Sequence, residues 1–149
     1  MKTRHVDLSE ACGIEDAMRR IAIVRFAEVL TLAPALRKDS AAGLHDFRIA
    51  CKRLRHAIAR FTNREPALLE AASRLGQLQD ALGEWHDCTV LLETLPLEMR
   101  FGRSRARELS ADALARARAL WRDAFATYGP FAGLVRFTGL GYGLGEGEG

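Results

Sequence analysis

Proline sets the frame. Pro34, Pro66, Pro96 and Pro130 fall roughly thirty residues apart, and proline either ends a helix or sits in its first turn. The segments between them are rich in Ala, Leu, Arg and Glu, all good helix formers, and none alternates β-branched with polar residues. The chain is therefore expected to be all-α, an antiparallel bundle of four long helices. The first is placed at about Ile14 to Leu36, with Glu15 and Asp16 at its positive end. The second runs from about Leu44 to Thr62, after the breakers Asp39, Ser40 and Gly43. The third opens at Pro66 and carries Leu68, Ala71, Leu75, Leu78, Leu82 and Trp85 at alternating steps of three and four, an apolar seam. Gly83 is a candidate kink in it. The fourth spans about Leu97 to Tyr128, with a stripe of Leu114, Ala117, Trp121, Phe125 and Tyr128 and a loop or frayed start near Gly102. Eight of the thirteen glycines lie from Gly129 onward, so residues 1–128 are read as the bundle and 129–149 as a flexible tail that buries little.

Several function classes drop out early. No run of eighteen apolar residues exists, so no membrane-spanning helix is expected, and the amino terminus lacks an apolar signal-peptide core. Cys12, Cys51 and Cys88 form neither a disulfide framework nor a CxxC zinc pattern, which points to a reducing cytoplasm. The glycines of the tail lack the GxGxxG spacing and a flanking strand, so no nucleotide or other cofactor is called for.

The second helix carries the functional signal. At about 100° per residue, His45, Arg48, Lys52, Arg55 and His56 share one stripe. Phe47, Leu54, Ile58 and Phe61 lie opposite, and Arg53 and Arg60 occupy a shoulder of the basic stripe. Between His45 and Arg64 there are six Lys or Arg residues and one acid, Asp46. A solvated helix ordinarily mixes signs; like charges stacked on successive turns repel unless a polyanion or acidic partner cancels them. Nineteen of the 22 cations are Arg, whose planar fork of donors matches phosphate oxygens.

The run His45-x-x-Arg48-x-x-x-Lys52-Arg53-Leu54-Arg55, with an aromatic at Phe61, resembles the signature of the CHAD domain, the α-helical domain named for its conserved histidines. A second element of that family is similar to Leu82-Gly83-Glu84-Trp85-His86-Asp87-Cys88-Thr89-Val90-Leu91, where His86 stands for an arginine and Thr89 for an aspartate. The resemblance implies a non-catalytic binding module for inorganic polyphosphate. It also implies one half of an architecture in which two four-helix bundles face a central basic groove, so that two copies would pair as a homodimer. On that reading His45, Arg48, Lys52, Arg53, Arg55 and His56 bind the ligand. His45 is placed in the first helical turn near free N–H groups, and His56 gains charge on mild acidification. Arg60, His86, Arg103 and Arg107 are secondary candidates, and Asp46 and Asp87 are expected to hold arginines in place.

Other constellations are weaker. His45, His86, Asp87 and Asp123 could form a metal-dependent phosphohydrolase site of the HD type, although a cationic face repels a divalent ion. Cys51 and Cys88 read as small core residues rather than nucleophiles. The acid-free run from Arg100 to Arg107 could extend an anion groove or bind nucleic acid, but it fits an exposed basic turn better. A nucleic-acid or acidic-protein binding module would use the same second-helix stripe, but no reader motif and no exposed aromatic interleaving of the kind that stacks on bases is present, and Trp85 and Trp121 fall on apolar seams.

Overall fold

The computed structural model describes residues 3–38 and 40–141. These form five α-helices and no strand among the described residues: α1 (Ile14–Leu32), α2 (Ala41–Ala59), α3 (Leu69–Thr94), α4 (Arg100–Ala124) and α5 (Ala132–Thr138). The fold is all-helical, as expected. Packing is sequential, α1 on α2, α2 on α3 and α3 on α4, with α5 returning to α1 and α3.

Local chemistry sets the boundaries. The backbone N–H of Cys12 donates to the Asp16 carboxylate at 3.0 Å and Arg20 Nε donates to it at 3.1 Å. The two contacts hold the Asp16 carboxyl below the usual carboxylate range, the Cys12 N–H contributing most. α1 stops at Leu32, short of Leu36, because the chain tightens into a 3₁₀ turn over Ala33–Leu36 that contains Pro34. α2 begins three residues earlier than expected. Ser40 Oγ accepts the Gly43 N–H at 3.2 Å, which makes Ser40 a cap rather than a breaker and puts Gly43 inside the first turn. Asp39 lies outside the described residues. A second proline-led 3₁₀ turn, Pro66–Leu68, feeds α3.

The core follows the predicted periodicities. Leu68, Ala71, Leu75, Leu78, Leu82 and Trp85 are all buried, as are Phe47, Cys51, Leu54 and Ile58 on α2. α4 contributes mainly alanines, Ala106, Ala113, Ala117 and Ala124, and small residues let a neighbouring helix approach closely. It passes through Gly102 without a break, where a loop or frayed start was expected. Tyr128 lies beyond α4 and is 94% exposed, so it does not belong to the apolar stripe.

The main departure is at Gly129. Residues 129–141 were expected to be flexible, but they re-enter the core. Phe131 and Leu134 are fully buried. The Phe131 ring meets Phe26, Trp121 and Phe125 edge-on, with centroids 6.0, 5.8 and 5.2 Å apart. Gly133 is required by close approach: a Cβ there would fall 2.1 Å from the Ala67 carbonyl oxygen. Composition misled because the glycine count averages over a short apolar helix, Ala132–Thr138, and a polar end. Residues 142–149 lie outside the described residues.

Candidate anion-binding site

The α2 stripe stands on a helix anchored by its other face. His45, Lys52, Arg55, His56 and Arg60 are exposed, and Arg48 is half-buried. Among the described residues, no hydrogen bond or ion pair engages Arg48, Lys52, His56, Arg60 or Arg64. Arg55 donates Nη1 to the neutral Gln79 Oε1 at 2.8 Å, so its charge is oriented without being cancelled. Its guanidinium lies across α3 at Gly76, where a Cβ would touch it at 3.5 Å.

Two cross-links locate the stripe against α3. Arg55 meets Gln79, and the His45 ring lies 6.2 Å from the His86 ring. Ascending numbers on α2 thus meet descending numbers on α3, and the two helices run in opposite directions along this seam. Gly76, Gln79, Gly83 and His86 follow the three-four rhythm of one helix face. A Cβ added at Gly83 would meet nothing within 4 Å, so the α3 surface is open at that position. The nearby acid Glu84 is drawn away to Arg116 of α4 at 2.5 Å, a contact that also raises the Arg116 pKa.

The predicted residues divide into two groups. Arg53 turns inward. Its Nη1 lies 3.9 Å from Glu28 Oε2, and Arg25 grips the other Glu28 oxygen at 2.6 Å. The Glu28 side chain is 1% exposed and Arg53 29%, so Arg53 serves to tie α2 to α1. Arg103 spends Nη1 on the carbonyls of Leu92 and Leu95 at 2.6 and 3.0 Å, satisfying the carboxyl end of α3. Arg107 is exposed and unpaired among the described residues. His45 sits one turn deeper than expected, since the helix starts at Ala41, and the free N–H groups of the first turn are not beside it. Neither Asp46 nor Asp87 forms an ion pair among the described residues, so the expected role of holding arginines falls instead to Glu28, which sequence spacing did not single out.

The HD-type constellation does not assemble as a set. His45 and His86 approach each other, but Asp123 pairs with Arg122 at 3.6 Å near the end of α4. No group of three or more metal-ligating side chains comes together among the described residues. Burial pushes the thiols of Cys51 and Cys88 up, which keeps them protonated. No helix among the described residues is long and apolar enough to cross a membrane.

The family model of the CHAD domain matches residues 8–96. The chain belongs to the CHAD domain family. The match takes in α1, α2 and α3, and therefore both the basic stripe and the α3 face beneath it; α4 and α5 lie beyond it. No curated protein and no solved structure matches the chain. Within the CHAD pattern, the aromatic at Phe61 packs half-buried against the core, and Leu54 is buried between the flanking cations.

Proposed function

We propose that the α2 face binds inorganic polyphosphate, or a polyanion of similar charge density, without turning it over. One observation carries the reading: Arg48, Lys52, Arg55 and Arg60 crowd one helix with no carboxylate within ion-pair reach among the described residues. Four like charges left uncancelled repel one another, and a chain of phosphates relieves that cost while needing only charge spacing and fork geometry. Arg48, Lys52 and Arg55 bind phosphoryl oxygens, with His45, His56 and His86 along the same trough and Arg107 as an outlying site. Arg53 supports the helix from behind. α1 to α4 form the antiparallel four-helix half of the CHAD architecture, and two copies about a two-fold axis supply the second basic face.

Titration with long-chain polyphosphate and with duplex DNA at about 0.15 M salt, where loose electrostatic association is screened, tests this reading. Polyphosphate is expected to bind more tightly, and preference for DNA would overturn the assignment. The paired change Arg48→Ala and Arg55→Ala should cut affinity at least about tenfold and flatten the log K against log salt slope by about 0.7 for each phosphate that is no longer neutralised. Both side chains lie outside the core, so melting should move by no more than about 0.5 kcal/mol for each substitution. Phosphate release from the polymer in the presence of Mn²⁺ would favour a hydrolase instead.

A further inference from the structure

One cation of the α2 stripe is held by the neighbouring helix. Arg55 is exposed, yet its guanidinium lies on α3, where a Cβ built at Gly76 would stand 3.5 Å from Cζ, 3.5 Å from Nε and 3.6 Å from Nη2. Three atoms of one planar group at nearly the same distance from one point mean that the plane lies across the glycine. A side chain longer than a methyl group at position 76 would compete for that space. The remaining nitrogen, Nη1, donates to Gln79 Oε1 at 2.8 Å. Gly76 and Gln79 are three residues apart on one helix, so both lie on the side of α3 that meets Arg55.

The identity of the acceptor decides what Arg55 can still do. Gln79 engages Nη1 alone. Among the described residues the N–H donors of Nε and Nη2 are unspent, and those two nitrogens form a parallel edge that suits two oxygens of one phosphoryl group. A carboxylate in place of the amide would hold the same nitrogen and cancel the charge. An apolar side chain would leave the charge and release a long, flexible arm. The amide fixes the guanidinium without neutralising it. Gln79 is half-buried and belongs to α3, so the periodicity of α2 does not single it out.

We propose that Gln79 is a positioning residue of the anion site, acting through Arg55: it holds the guanidinium so that the Nε–Nη2 edge meets phosphoryl oxygens, and its neutrality leaves the charge available to them. The inference rests on the polyanion reading of the α2 face. Ordering a free arginine on binding would otherwise cost about two- to tenfold in affinity. Long-chain polyphosphate is titrated into the full chain at about 0.15 M salt and at several concentrations on either side. Gln79→Met keeps the length and helix propensity of the side chain and removes the acceptor. It should weaken binding about two- to tenfold and leave the slope of log K against log salt unchanged, since no cation is lost. Gln79→Glu should weaken binding further and flatten that slope by about 0.7. With Arg55→Ala already in place, Gln79→Met should alter affinity by less than about twofold, because the group it positions is gone. Without ligand, ¹⁵N relaxation of the Arg55 Nε–H should report greater mobility in Gln79→Met than in the unaltered chain, a change that general loosening of the fold would spread to other arginines. Gln79→Met binding like the unaltered chain overturns the proposal and leaves the anion site standing. So does an equal loss in the Arg55→Ala background, or a Gln79→Glu chain that binds as tightly as the unaltered one. An unaltered chain that does not bind polyphosphate overturns the anion site itself, and this role for Gln79 with it.

Discussion

Replacing Phe131 by Ala tests whether the chain beyond Gly129 belongs to the folded body. The ring is fully buried and sits among Phe26, Trp121 and Phe125, so it joins α1, the end of α4 and the start of α5. Truncating a buried Phe costs about 3–5 kcal/mol, the transfer energy of the ring plus the cavity left behind. The upper half of that range is expected here because three aromatic rings are deprived of an edge-on neighbour together. Against a total stability of about 5–15 kcal/mol, that is a large fraction. For a chain of this size it lowers the melting midpoint by roughly 8–20 °C, at about 2–4 °C per kcal/mol. Urea unfolding followed by circular dichroism at 222 nm should show a midpoint at least about 1 M lower with an unchanged slope. Tyr128→Ala, three residues earlier and 94% exposed, is the control and should change stability by less than about 0.5 kcal/mol. If Phe131→Ala unfolds as the unaltered chain does, α5 is not packed in solution and the bundle ends at α4. Polyphosphate binding, measured well below the transition, should survive the change because the α2 face is untouched.

Glu28→Ala removes the anion between Arg25 and Arg53 and should destabilise the chain by roughly 2–3 kcal/mol in urea, less than for a fully enclosed pair because the Arg25 and Arg53 side chains remain 17% and 29% exposed. An effect below about 0.5 kcal/mol would show that the cluster does not tie α1 to α2. Ellman's reagent at pH 8 should titrate one thiol quickly, the exposed Cys12. Burial raises the other two thiols, so they should react only at the rate of unfolding, and two fast thiols would contradict the packing of Cys88. The Asp16 carboxyl, lowered mainly by the Cys12 N–H, contributes stability that is present above the ordinary carboxylate pKa and is lost as pH falls through its lowered folded value. Side-chain carboxyl NMR should place its titration below that of an unfolded aspartate, and an ordinary midpoint would mean the contact between the Cys12 N–H and Asp16 does not form.

The all-helical class was legible because proline and helix-forming composition are local signals. So was the α3 seam, where every position from Leu68 to Trp85 in the three-four series is buried. Boundaries were less legible. Ser40 and Gly43 look like breakers in sequence, but a hydroxyl accepting one N–H turns the pair into a helix start. The α2 stripe could be drawn from angles alone, whereas the inward turn of Arg53 could not. Its fate depends on Glu28, a partner more than twenty residues away on another helix.

By itself the sequence determined which residues are helical and that one helix carries cations on a single side, because periodicity and charge are properties of neighbours along the chain. Only the tertiary structure decided which of those cations stay open, that Arg55 meets the neutral Gln79 rather than a carboxylate, and that Phe131 returns to the core. Those outcomes depend on which surfaces meet, and packing between segments far apart in the chain leaves no periodic trace in either one.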